Sequence, residues 1–139
     1  MSYKIISKFI KDISFEIPDT KAFVMLEKEI ANYALNFDIK SNPYKNKIIE
    51  VNTTLKISPN ENVKHKILTE ITCTTLVSIE KNFEDKKELE KIILIKIPME
   101  IFPLLYETFV YLFKQAGIKN IQIEKTVDFQ KMYDKRKNN

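Results

Sequence analysis

Four stretches of this chain alternate apolar and polar residues with period two, and each puts its apolar set on odd-numbered positions. Phe9, Ile13, Phe15 and Ile17 oppose Asp12, Ser14 and Glu16, with Ile10 and Lys11 out of phase. Tyr33, Leu35, Phe37 and Ile39 oppose Asn36, Asp38 and Lys40, and Ile49, Val51, Leu55 and Ile57 oppose Glu50, Asn52, Thr54 and Lys56. The longest run sets Val63, Ile67, Ile71, Cys73, Val77 and Ile79 against Lys64, Lys66, Glu70, Thr72, Thr74 and Ser78, leaving Leu68 and Leu76 as apolar residues on the polar side. Successive side chains of a strand point to opposite faces, so this pattern requires an antiparallel sheet with one face on a core and the other wet. Ser41-Asn42-Pro43 and Ser58-Pro59-Asn60-Glu61-Asn62 supply turn chemistry, which makes strands two to four a meander. The segment from Pro18 to Ile30, with Phe23, Val24, Met25 and Leu26 in one run, must cross over something.

Past Asp85 the pattern changes. A charged, helix-favouring stretch leads into Ile92-Ile93-Leu94-Ile95, whose apolar run is compatible with helix or strand, and Pro98 is expected to end it. Pro103 suits a first helical turn, and Gly117, the single glycine, suits the left-handed cap of a helix ending at Ala116. Between them Leu104, Leu105, Tyr106, Phe109, Val110, Tyr111, Leu112 and Phe113 leave the helix without a polar face. The uncharged run is far shorter than the roughly 20 residues of a membrane span. A helix apolar all round must be covered on both sides, and one sheet covers only one. The other cover is a second subunit, a bound apolar ligand, or the Ile92–Ile97 segment together with a C-terminal helix from Val127 to Lys135. Ile118–Glu124 reads as a short strand.

With 139 residues the chain suits one domain spanning 1–139, frayed at about 1–4 and 135–139. The start shows no apolar signal region, which points to the cytoplasm. Its formal charge is +4, yet of 23 basic residues only Arg136 carries the guanidinium fork favoured in base and phosphate reading, so a nucleic-acid role is not expected. One glycine cannot build a phosphate-cradling loop. His65 and Cys73 share the inward parity of the fourth stretch, where a structural histidine and a buried thiol are the ordinary outcome. No catalytic residue, metal site or cofactor is expected.

The run Phe9-Ile10-Lys11-Asp12-Ile13-Ser14-Phe15-Glu16-Ile17-Pro18 resembles the opening strand of the SecB export chaperones, and Ile101-Phe102-Pro103 with Tyr106-Glu107 resembles the start of their long helix. The resemblance runs from Phe9 to about Arg136. It implies an α+β fold, a four-stranded antiparallel sheet packed on a long helix with a short terminal helix, assembled as a homotetramer, a dimer of dimers. It also implies an ATP-independent holdase that binds unfolded preproteins and passes them to SecA. On that reading Asp12, Glu16, Leu68 and Glu70 form the SecA-contact face. Phe23, Val24, Leu26, Phe102 and Tyr106 line a client groove, and Leu105, Phe109, Leu112 and Phe113 form the oligomer interface. A basic chain with a short tail leaves open a SecB-like chaperone dedicated to one antitoxin of a toxin–antitoxin system. A protein binding a small apolar ligand is a further alternative.

Overall fold

A computed structural model describes residues 3–30, 33–59, 66–80, 85–119 and 126–137. Strand β1 (Tyr3–Glu16) is followed by helix α1 (Thr20–Glu29), then β2 (Tyr33–Lys45), β3 (Ile48–Pro59) and β4 (Leu68–Ile79). The second half is helical: α2 (Lys86–Lys91), a π-helical segment (Ile92–Lys96), α3 (Ile97–Gln115) and α4 (Phe129–Lys137). The sheet order is β1-β4-β3-β2, all antiparallel, so β2–β4 form the expected meander and the crossover carries the chain from one sheet edge to the other. That crossover is α1, capped by Asp19, whose carboxylate accepts from the Ala22 N–H at 2.8 Å. Ala22, Leu26 and Ile30, at helical spacing, bury one face of it.

The odd-numbered residues of β3 and β4 are the most deeply buried in the sheet, including Val51, Leu55, Ile71, Cys73 and Val77. β1 departs from its expected phase. Its register shifts between Ile5 and Ser7 and again between Ile10 and Asp12. The second shift turns Ile10 inward opposite Cys73 and sends Phe9 to the wet face opposite Thr74, where it is 48% exposed. Ile13 keeps the inward parity, opposite Ile71, but lies on an edge strand and is 45% exposed. One extra residue in one strand reverses the facing of what lies beyond it, which period-two counting cannot anticipate.

Ser41-Asn42-Pro43 is not a turn. All three residues pair with β3, and the chain reverses at Asn46, whose φ of 50° is the one positive value outside glycine among the described residues. Val63, His65 and most of the strand expected at Ile118–Glu124 lie outside the described residues. Ile118 itself is buried.

The long helix runs without interruption from Lys86 to Gln115, thirty residues, through both prolines. Pro98 does not end it. The π segment just before widens the turn, closing with the Ile97 N–H on the Ile92 carbonyl, and makes room for a ring that a regular turn would reject. Pro103 lies inside α3 on an exposed face, where the carbonyl it leaves without a donor can reach water. At the far end Gly117, at φ 93°, and the Ile118 N–H bonded to the Phe113 carbonyl at 2.9 Å form the expected cap.

Ile101, Leu105, Phe109 and Phe113 are sealed against the sheet, and burying each contributes about 1.5–3 kcal/mol. The opposite face is open, with Met99 57% and Tyr111 63% exposed. The helix therefore has an inward and an outward side within one protomer.

Candidate polypeptide-binding groove

β2 is an edge strand of the sheet, so among the described residues one side of its backbone is unpaired. A proline cannot donate to a ladder, and both prolines of the hairpin sit at pairs of one parity, Pro43 opposite Ile49 and Pro59 opposite Tyr33. That parity fits the pairs that exchange no hydrogen bonds between β2 and β3. The N–H and C=O of Leu35, Phe37, Ile39 and Ser41 then point to the open edge. The side chains of Leu35, Phe37 and Ile39 project toward the helical layer, where they join the core clusters.

Beside this edge lie two adjoining hollows. One, of about 210 Å³, lies between Phe37 and Ile39 of β2 and Phe129, Met132 and Tyr133 of α4. The other, of about 300 Å³, lies between Ile39, Ser41 and the Leu89–Ile93 stretch of the long helix. Ile39, Leu94 and Arg136 border both, which makes them one groove. Its deep end is aromatic: Phe37 meets Phe129 edge to face at 5.0 Å between ring centroids, and Phe102 lies beneath, 5.8 Å from Phe37 and 6.2 Å from Phe129. Phe129 and Tyr133, one turn apart, bury the same face of α4, and Asp128 caps that helix by accepting from the Lys131 N–H at 3.0 Å. Free backbone donors and acceptors beside an apolar trough can hold an extended chain by strand addition, with alternate side chains in the trough.

The expected groove residues do not all meet here. Phe102 and Tyr106, 6.0 Å apart, are at its aromatic end, but Phe102 is almost fully buried and acts as floor. Leu26 is core, 2% exposed. Phe23 and Val24 are exposed on α1, and Phe23 borders a separate hollow of about 430 Å³ with Ile17 and Ala116. Ala116 lies fourteen positions beyond Phe102 in the sequence, close to 20 Å along the helix. Leu105, Phe109 and Phe113, expected at a subunit interface, are instead sealed inside the protomer, and Leu112 is half-buried, because the sheet takes up this side of the helix.

The wet-face set does come together. Glu16 pairs with Leu68, Ser14 with Glu70 and Asp12 with Thr72 across β1 and β4, and all four expected residues are exposed on the face away from the helices. Leu68 is 43% exposed there. Cys73 is fully buried, and burial pushes its thiol above the ordinary value, so it offers no ready nucleophile. Among the described residues no His, Cys, Asp or Glu cluster could hold a metal, and no helix is long and apolar enough to cross a membrane.

Sequence reading missed Phe37, Ile39, Leu94 and Arg136 as groove residues. Alternation marks which face a residue takes, whereas the groove depends on which strand ends up at the edge.

The geometry defines a class, an α+β protein in which an antiparallel sheet packs on one long helix and an open strand edge adjoins an apolar trough. The family described as SecB, preprotein translocase subunit SecB, matches residues 1–139, and the chain belongs to that family, one of chaperones and not of enzymes. A putative protein-export protein SecB of Pelagibacter ubique is 44% identical over 137 residues, covering 99% of this chain and 98% of the relative. A protein-export protein SecB of Anaplasma phagocytophilum is 30% identical, covering 93% of this chain and 89% of its own length. Among solved structures, the Mycobacterium tuberculosis SecB-like chaperone in complex with a ChAD peptide from the HigA1 antitoxin superposes with a TM-score of 0.60. It is 10% identical, and the match covers 83% of this chain and 84% of that one, a likeness of fold.

Proposed function

We propose that this chain is an ATP-independent holdase that keeps polypeptides unfolded for export, holding them along the β2 edge and in the trough beside it. The observation that carries the reading is the adjacency of a strand edge that is unpaired among the described residues to an apolar groove bordered by Phe37, Leu94 and Phe129. Membership of the SecB family and relatives named as export proteins supply the biological direction. Clients bind and leave without covalent chemistry at any residue. Phe23 and Val24 serve as a second, shallower contact, and about six further residues of an extended client span the roughly 20 Å between the two.

In the same proposal, Asp12, Glu16, Leu68 and Glu70 present the client-loaded protein to SecA in the cytoplasm. The single domain assembles as a dimer of dimers through outward helix residues such as Met99 and Tyr111, which stand uncovered in the protomer. A second reading, a chaperone dedicated to one antitoxin, is favoured by the antitoxin peptide bound to the Mycobacterium tuberculosis fold relative.

Light scattering of a denatured export precursor diluted into stoichiometric protein, with and without nucleotide, tests the proposal. Suppressed aggregation that does not change with nucleotide is expected. If only an antitoxin is kept in solution, the dedicated reading holds. If neither client is held, the groove serves a small apolar ligand and the holdase reading fails.

A further inference from the structure

Along α3 the inward face is set by a spacing of four, with Ile97, Ile101 and Leu105 each fully buried. A regular helix would carry that face back to Ile93, since residues four apart lie one above the other. Ile92 stands there instead. It is fully buried in the same cluster as Ile97, five positions on, while Ile93 and Leu94 are only half-buried. The π turn between them, closed by the Ile97 N–H on the Ile92 carbonyl, holds one residue more than an α turn and so keeps both isoleucines in the core. At this segment the long helix packs closely on β2 and on α4, whereas α3 packs chiefly on β3 and β4. Leu94 borders both hollows of the groove and Ile93 borders one. Pro98 secures the arrangement, because in a regular turn its ring would collide with the Leu94 carbonyl.

We propose that the π turn serves the groove and not the core: its extra residue holds Leu94 at the seam of the two hollows, as a contact for the apolar side chains of a bound client. This rests on the reading of the groove as the client site and adds which residue of the long helix meets the client and what positions it. With one residue fewer, Ile92 and Ile97 would lie four apart, the spacing that Ile97 and Ile101 already have, so the core has no need of the longer turn. The groove does need it. A residue advances about 100° around the axis in an α turn, against about 72° where five residues complete the turn. Leu94, two positions past Ile92, would therefore swing by roughly 50° from its present direction if the turn were regular.

The test deletes the exposed Lys96 in a Pro98→Ala background, which removes the extra residue and the obstructing ring together. The probe is a fluorescein-labelled peptide of about ten residues in which leucine and serine alternate, read by fluorescence anisotropy. The deletion variant should melt no lower than Pro98→Ala alone and bind the peptide about five- to tenfold more weakly, the loss of one partly buried leucine contact. Leu94→Ala should cost the same factor in the Pro98→Ala protein and nothing further once Lys96 is deleted, a coupling that a merely structural role would not produce. If Pro98→Ala binds the peptide and the deletion leaves affinity unchanged, or Leu94→Ala costs as much with the deletion as without it, the π turn does not position Leu94 and the groove stands. A deletion variant that fails to fold assigns the turn to the core and overturns the proposal. If the unaltered protein binds no peptide, groove and proposal fall together.

Discussion

Phe37 of the edge strand and Phe129 of the terminal helix meet edge to face, centroids 5.0 Å apart with their planes at 72°. Rings in this arrangement contribute about 0.5–1.5 kcal/mol beyond their buried area. The contact also gives the groove its closed end, since α4 forms a wall only while Phe129 is seated.

Phe129→Ala should therefore act locally. Removing a buried Phe costs about 3–5 kcal/mol, and α4 has only Phe129 and Tyr133 buried to hold it in place. Hydrogen exchange should show the α4 amides losing protection while those of β3 and β4 keep theirs, and client affinity should drop with the lost wall. Equal acceleration throughout the sheet would mean that α4 is integral to the core.

Strand parity along β2 gives a paired prediction. Ser41→Pro removes an N–H aimed at the open edge, so the sheet should remain intact while peptide binding weakens. Lys40→Pro removes one aimed at β3 and should cost about 3 kcal/mol or more of stability. Thermal melts and peptide titrations of the two variants check this. Reversed outcomes would reverse the assigned parity.

The central strands were legible in the sequence because β3 and β4 are paired on both sides, and a regular ladder keeps apolar residues in step from Ile49 to Ile57 and from Ile67 to Ile79. β1 was legible only in part, since its register shifts exchange the faces of Phe9 and Ile10. The prolines misled for a local reason. Pro43, Pro98 and Pro103 are ordinary breakers, but here one lies on an edge strand, one follows a π turn and one faces solvent. The groove stayed hidden because it is made by strand order and by α4 returning beside β2, neither of which leaves a periodic trace. The wet-face set Asp12, Glu16, Leu68 and Glu70 was legible because all four residues lie beyond the last register shift in β1 or on the regular β4.

Gly117→Ala should destabilise through the backbone and not through space. The added Cβ would sit 3.6 Å from the Phe23 ring, an ordinary contact, whereas φ of 93° is a conformation that L side chains rarely adopt. About 1 kcal/mol or somewhat more should be lost in urea unfolding, with an unchanged slope. No change in midpoint would contradict the strained cap.

Thr53 is fully buried opposite Cys73, and its hydroxyl has no hydrogen-bond partner among the described residues. Such an orphan costs about 1–3 kcal/mol relative to a satisfied group. Thr53→Val keeps the shape and removes the polar atom, so the protein should become more stable, by about 1 kcal/mol in chemical denaturation. A less stable variant would mean that the hydroxyl is in fact satisfied.

The wet face yields the prediction that separates export from a dedicated client. Glu16 and Glu70 are exposed on adjacent strands, one opposite Leu68 and the other opposite Ser14. Exposed charges of this kind contribute little to folding, so the double reversal Glu16→Lys, Glu70→Lys should leave the melting curve nearly unchanged. If this face docks on SecA, the reversal should slow association and flatten its salt dependence, while binding of a peptide in the β2 trough on the other side of the sheet stays the same. Surface plasmon resonance with immobilised SecA, run beside the anisotropy titration, reads both sites in one preparation. Unchanged SecA association in the reversed protein would remove Asp12, Glu16, Leu68 and Glu70 from the docking face and favour a chaperone whose client never reaches the translocation motor.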